Sequence, residues 1–283
     1  MSKAMSKMSD DATSDALVTA SGSPAGRRPG PAPVALSVDG VTVQFPTPSG
    51  GIREVFRDLS FHAAAGELVC VVGKSGVGKT TLLNLLVGMV RPTSGRVEVL
   101  GDRPERSRQR MGIMLARDAL LPSRSARGNV EFGLEIRGVP RKERREVATR
   151  YLAMMELQEA EDLWPWQLSQ GMRQRVALAR TWALNPEILL LDEPFAALDA
   201  ETRERMQQEF LGLWARDRRT AIFVTHDLDE AMVLGDRIVV VGGGRVVADI
   251  PVDAPRPRDR DLMMDDAGLR ATAKHLRALI AGV

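Results

Sequence analysis

The stretch Leu68-Val69-Cys70-Val71-Val72-Gly73-Lys74-Ser75-Gly76-Val77-Gly78-Lys79-Thr80 decides the fold. Its apolar first half reads as a short buried strand over 67–72, the kind found inside parallel sheets. Gly73 to Thr80 then fits the P-loop pattern, in which glycines let backbone N–H groups turn toward phosphate oxygens. Residues 80–90 read as a helix ended by Pro92 and Gly95, so the N–H groups from Gly76 to Thr81 open a helix N-terminus toward an anion. A chance glycine-rich turn would lack the strand before and the helix after. The pattern predicts an α/β core that holds a nucleoside triphosphate, with Lys79 reaching the β and γ oxygens and the Thr80 hydroxyl on Mg²⁺.

Working outward, Ile188-Leu189-Leu190-Leu191 and residues 220–224 are continuous apolar runs of the same buried kind. The first ends in Asp192-Glu193 and the second in Thr225-His226, which sets these polar groups at the carboxyl edge of a sheet, where nucleotides bind. Asp192 is a candidate for holding Mg²⁺, directly or through water. Residues 201–215 fit a crossover helix between the two strands. Residues 237–241 and 245–249 flank Gly242-Gly243-Gly244 as a hairpin. Leu36, Val38, Val41, Val43 and Phe45 alternate like a strand that Asp39-Gly40 interrupts with a turn, and Phe56, Leu59 and Phe61 suggest another. Between 117 and 186 the pattern turns helical: Val147, Tyr151, Met154 and Met155 form a stripe, and Ser169 caps a helix carrying Val176, Ala179 and Leu184.

Four motifs therefore stand in one order, the third of them Asp192-Glu193 and the second Leu168-Ser169-Gln170-Gly171-Met172. Over roughly residues 36–250 the chain resembles the ATP-binding-cassette (ABC) ATPases. The resemblance implies a P-loop NTPase core with an antiparallel β subdomain and an inserted helical signature subdomain, spanning 35–253 with the helical part near 117–186. It implies that Glu193 orients and deprotonates the attacking water and that His226 contacts the γ-phosphate. It places Asp199, in Ala197-Leu198-Asp199, on a loop across a dimer interface. Phe45 has two readings, an aromatic stacked on adenine or a core residue sharing a face with Val43. Gly73, Lys74, Ser75, Gly76, Val77, Gly78, Lys79, Thr80 and Thr81 form the phosphate cradle. Ser169 and Gly171 sit at a positive helix end that meets the triphosphate held by a partner subunit, so ATP joins two copies. Gln170 and Met172 depart from the commoner glycine and glutamine. Ala116 is a larger departure: it stands where the family has a glutamine touching Mg²⁺ and water, which implies slow hydrolysis or a different metal shell, with Arg117 or Asp118 as substitutes.

Composition limits what such a cassette drives. Of 283 residues, 44% are hydrophobic, 27% charged and 4% aromatic, an ordinary globular balance, and the net charge of +2 gives no reason to expect nucleic acid. No apolar run approaches the ~20 residues of a membrane span. Cys70 is the sole cysteine and reads as a buried strand residue. Residues 1–34 read as a disordered tail, with Met5 and Met8 as alternative starts and Arg27-Arg28 able to touch anionic lipid. Residues 1–20 lack a secretory signal, which predicts a cytoplasmic protein. Residues 254–283 form an extension ending in an amphipathic helix around 269–280. Within the family, residues 168–175 with Met172-Arg173-Gln174-Arg175, residues 192–203, and Val252-Asp253-Ala254-Pro255-Arg256-Pro257-Arg258 resemble the ATPases of nitrate, sulfonate, taurine and bicarbonate importers. That resemblance implies a homodimer at the cytoplasmic face of a membrane, a permease partner and, indirectly, an extracytoplasmic solute-binding protein. Phe132 and Leu134 are candidates for the permease-facing groove, or for packing at the lobe junction. A ribosome- or DNA-directed ABC protein would carry two cassettes, long coiled coils or zinc cysteines. A non-hydrolysing regulatory subunit rests on Ala116 alone.

Overall fold

Alternating burial builds the first sheet. A computed structural model describes residues 32–116, 118–256, 258 and 265–282, so most of the expected tail lies outside the described residues. β1 (Val34–Pro46) and β2 (Ile52–Ala64) pair antiparallel, with Leu36, Val38, Val41 and Val43 facing Ala63, Phe61, Leu59 and Phe56 on the buried side. Asp39-Gly40 does not end the strand as expected. The register slips between Val38 and Val41, Gly40 takes φ +59°, and its N–H donates to Ser60 Oγ. The extra residue is a bulge that returns Val41 to the core face, and glycine meets the positive φ without a Cβ penalty.

β3 (Leu68–Val72) leads through the glycine loop into α1 (Lys79–Leu86). The helix stops earlier than Pro92 would require, because Gly88 adopts φ +70° and its N–H closes a tight turn on Leu85 O. β4 (Ser94–Val99) returns to the free edge of β1, giving a three-stranded sheet ordered β2-β1-β4. After α2 (Pro104–Ser107), β5 (Met111–Met114) leads to three helices, α3 (Ala126–Ile136), α4 (Arg141–Met154) and α5 (Gln170–Ala183). On α4 the buried line runs through Ala148 and Leu152 to Met155, with Val147 and Tyr151 half-buried. Met154 is 45% exposed: it sits about 100° around the helix from its neighbour and misses the face that α3 and α5 cover.

β6 (Ile188–Asp192), α6 (Ala200–Asp217), β7 (Thr220–Thr225), α7 (Leu228–Leu234), β8 (Arg237–Gly242) and β9 (Arg245–Pro251) follow, and α8 (Ala267–Ala281) comes last. The second sheet is six-stranded, ordered β5-β6-β7-β3-β8-β9, parallel except for the β8–β9 hairpin. Every residue of β3, β6 and β7 is buried, so this sheet is covered on both faces. Alternate residues divide the cover. Val69, Val71, Leu190 and Ile222 pack toward α1 and the antiparallel sheet. Cys70, Leu189, Leu191 and Phe223 pack toward α5, α6 and α7, and onto Leu269 and Leu276 of α8. Burial pushes the Cys70 thiol well up, which leaves it an inert core group. No helix among the described residues is long and apolar enough to cross a membrane.

Candidate nucleotide site

Strand order assembles the site. β6, β7 and β3 are neighbours, so their carboxyl ends set Asp192, Thr225 and Gly73 side by side. The loop after β3 needs glycine in particular places. Gly78 has φ +108°, and a Cβ there would stand 2.6 Å from Val55 Cγ1 and 2.9 Å from the Phe56 ring. Gly76 also has a positive φ, +83°, but faces open space, leaving its backbone accessible to a bound anion. Gly73 passes under Val241, whose carbonyl would lie 2.5 Å from an added Cβ. Val77 packs beside the core, and the Lys74 ammonium lies 3.4 Å from Ala281 O at the end of α8.

The polar side chains interlock. Lys79 is nearly buried, and its Nζ donates to Gly73 O at 2.8 Å and Lys74 O at 3.2 Å. The same Nζ lies 3.4 Å from Glu193 Oε1, and Glu193 Oε2 lies 2.9 Å from His226 Nδ1. Glu193 itself adopts φ +43°, and its N–H donates to Val224 O, which ties the turn after β6 to β7. A non-glycine residue in this region costs free energy and clusters at functional sites. Thr80 Oγ1 donates to Asp192 Oδ2 at 3.1 Å. Burial holds the Asp192 carboxyl above its usual value, and the Glu193 charge adds to this; the Thr80 hydrogen bond and Lys79 act the other way. A divalent cation beside Asp192 would reverse that balance. Thr80 and Asp192 offer two hard oxygen donors, which suits Mg²⁺, an ion that takes one or two protein oxygens and completes its shell with phosphate and water. No cluster of three or more His, Cys, Asp or Glu fit to cage a metal occurs among the described residues.

A cavity of about 570 Å³ opens above the cradle. That is within the roughly 300–1,000 Å³ of small-molecule clefts. Ser75, Gly76, Gly78, Lys79, Thr80, Thr81 and Glu193 line one side, and Phe45, Pro46, Thr47 and Arg53 the other. Phe45 does not share the environment of Val43. A register shift after Val43 turns the strand end, so Val43 is 1% and Phe45 37% exposed. Arg53 was not visible in the sequence as a site residue; it arrives because β1 and β2 pair Phe45 with Arg53.

Three expected residues lie elsewhere. Ser169 is exposed and caps α5, its Oγ accepting from Met172 N at 3.2 Å. Asp199 caps α6 through the Thr202 N–H, which draws its carboxyl below the ordinary range. The two caps are neighbours, since a Cβ on Gly171 would lie 3.1 Å from Thr202 Cγ2. None of Ser169, Gly171 and Asp199 lines the cavity. Ala116 is an exposed bend residue after β5, Arg117 lies outside the described residues, and Asp118 turns its carboxylate to Arg173 on α5 at 2.9 Å. Leu134 is buried in the lobe, whereas half-buried Phe132 carries the Arg124 guanidinium over its ring at 4.8 Å.

A sheet edge built this way defines a P-loop nucleoside triphosphatase with a helical lobe. The ABC transporter family model matches residues 56–196. An uncharacterized ABC transporter ATP-binding protein of Methanocaldococcus jannaschii is 42% identical, covering 80% of this chain and 85% of the relative. The nitrate import ATP-binding protein NrtD of Synechococcus elongatus is 40% identical over 82% and 86%. The taurine import ATP-binding protein TauB of Chromobacterium violaceum is 45% identical over 75% and 81%. Among solved structures, the ATP-binding cassette MJ0796, in a dimeric post-hydrolysis state bound to ADP and Pi, superposes with a TM-score of 0.68 at 31% identity, over 78% of this chain and all of that one. The chain belongs to the ABC transporter ATP-binding family, and it is an ATPase.

Proposed function

We propose that this chain is the ATP-hydrolysing subunit of an importer for small anions of the nitrate, sulfonate or taurine kind. In this reading it acts as a homodimer on the cytoplasmic face of the membrane, against an integral-membrane permease served by an extracytoplasmic solute-binding protein. The names of the nitrate and taurine relatives support the solute class. Residues 35–253 are the cassette, 117–186 its signature-bearing lobe, and 254–283 an extension.

The observation that carries the dimer is the division of the site. Lys79, Thr80, Asp192, Glu193 and His226 are joined by short contacts within one chain, while the exposed Ser169 hydroxyl serves only its own helix cap. Ser169 and the Gly171 N–H at a helix N-terminus suit the γ-phosphate held by a second copy.

Within each site, Lys79 and the N–H groups of the cradle hold the β and γ oxygens, and Phe45 takes the adenine face. Glu193, positioned by Lys79 and His226, accepts a proton from water as its oxygen bonds to the γ-phosphorus and the bond to the ADP oxygen breaks. His226 and the second copy's signature offset the charge on the transferring group. Mg²⁺ held by Thr80 and Asp192 would supply neutralisation of the β and γ oxygens.

The test is Glu193→Gln in the full chain, with sedimentation measured under saturating ATP. The expected outcome is retained ATP binding and a stable dimer; a monomer would contradict the shared site. Copurification of a polytopic membrane protein with the tagged chain tests the permease partner.

A further inference from the structure

Ala116 brings no polar group to the connection between β5 and α3, and two residues further on the structure places a set of polar contacts. Asp118 Oδ2 accepts from Arg173 Nε at 2.9 Å. The same guanidinium donates through Nη1 to Leu168 O at 2.8 Å, the carbonyl directly before Ser169. Arg180, seven residues further along α5, donates to two successive carbonyls of the connection: Nη2 to Asp118 O and Nη1 to Ala119 O, each at 2.8 Å. Seven residues is close to two helical turns, so Arg173 and Arg180 share one face of α5 and hold the same short stretch. Ala119 sits at φ +44°, a conformation that a non-glycine residue keeps only when its surroundings impose it.

We propose that Asp118 is a positioning residue: with Arg173 and Arg180 it forms a latch that fixes the start of α5, and thus Ser169, relative to the nucleotide-holding sheet edge. The chain itself completes the link. β5 pairs along β6, and β6 ends in Asp192. Asp118 follows the end of β5 by four positions, so a shift at the carboxyl ends of β6 and β5 is felt at Asp118, and Arg173 passes it to Leu168 and Ser169. An isolated surface ion pair contributes little. This one is only partly exposed, shares its guanidinium with a backbone carbonyl, and is reinforced by a second arginine, the arrangement in which partners act as a unit. Arg180 is pulled below its usual value by burial, and the Asp118 charge works against that pull, so the carboxylate also supports the second arginine.

The proposal rests on the cross-protomer reading of Ser169, and its test separates the two. In the full chain carrying Glu193→Gln, the ATP-driven dimer dissociation constant is measured for Asp118→Asn, Arg173→Gln, the double variant and Asp118→Glu. A fluorescent ATP analogue reports nucleotide affinity of the monomer at low protein concentration. The latch predicts a dimer weakened roughly five- to tenfold in either single variant, and a double variant no worse than one single. Asp118→Glu restores most of the loss, and monomer affinity for the analogue stays unchanged. Losses that add in the double variant, or an equal fall in monomer nucleotide affinity, would overturn the latch in favour of general destabilisation. An undiminished dimer in Asp118→Asn, with the dimer lost in Ser169→Asp, overturns the latch and leaves the shared site standing. A dimer that survives Ser169→Asp overturns the shared site, whatever Asp118 does.

Discussion

Two regions of this molecule that the proposed function assigns to the triphosphate are built in opposite ways. At the sheet edge, side chains from three neighbouring strand ends already touch: Lys79 meets Glu193, Glu193 meets His226, and Thr80 meets Asp192. At the start of α5, Ser169 is exposed and its hydroxyl is occupied with a helix cap. The first is held by contacts among its own side chains, so its polar groups are preorganised. The second exposes a helix N-terminus that the proposed function assigns to a second copy. In the two-fold homodimer proposed above, each copy contributes one half-site of each kind, so two shared sites form.

The largest effect should come from the organised half. Lys79→Ala removes the only ammonium in contact with Glu193 among the described residues, and it should lower ATP turnover by on the order of 1,000-fold. Steady-state phosphate release checks this, and unchanged turnover would remove the glycine loop from the chemistry. Next comes Ser169→Asp, which keeps an oxygen acceptor at the helix cap but sets negative charge toward the partner's triphosphate. Turnover should fall roughly 100-fold while the thermal midpoint stays near that of the wild type. If stability falls along with activity, the comparison between the halves is broken, because Ser169 would then matter only as a cap.

Smaller effects sharpen the picture. Phe45→Ala should raise KM for ATP about two- to tenfold with little change in kcat, as expected for loss of one aromatic contact at the rim. A fall in kcat alone would return Phe45 to a structural role. Glu230 lies on α7 after His226 and accepts from Gln207 Nε2 of α6 at 3.0 Å. Burial raises its carboxyl above the usual value, against hydrogen bonds from Thr225 and Gln207. The folded state therefore keeps a proton that the unfolded chain gives up, and stability falls as pH rises from the ordinary glutamate range through the raised one. Glu230→Gln should remove that loss. Urea midpoints of variant and wild type should coincide at the acid end, and the variant should be the more stable at pH 8. A gap that narrows with rising pH would reverse the assigned direction.

How far the sequence could be read follows from the range of the interactions involved. The strand–loop–helix around Gly73 to Thr80 was legible because glycine conformation, apolar runs and helix starts act over a few residues. Where a local signal depends on a distant partner, reading failed. Asp39-Gly40 has turn chemistry, yet β2 and β4 hold both edges of β1 and convert the turn into a bulge. Met154 fits a stripe by spacing, but which side of α4 is covered depends on where α3 and α5 lie. For Phe45 the sequence left two readings open, and the register shift that comes with pairing to β2 takes it off the core face. Arg53 and the Asp118–Arg173 contact carry no sequence pattern at all, since each joins residues that the fold alone makes neighbours.

The sequence by itself determined the chemistry available: a phosphate-cradling loop, an acid pair ending one strand, a histidine ending another, and a serine opening a helix. Only the tertiary structure decided that the strands run β6-β7-β3, which brings the first three within contact and leaves the fourth facing outward. The physical reason is that strand order is set by non-local pairing and by burial on both faces of the sheet, terms that no window of neighbouring residues contains.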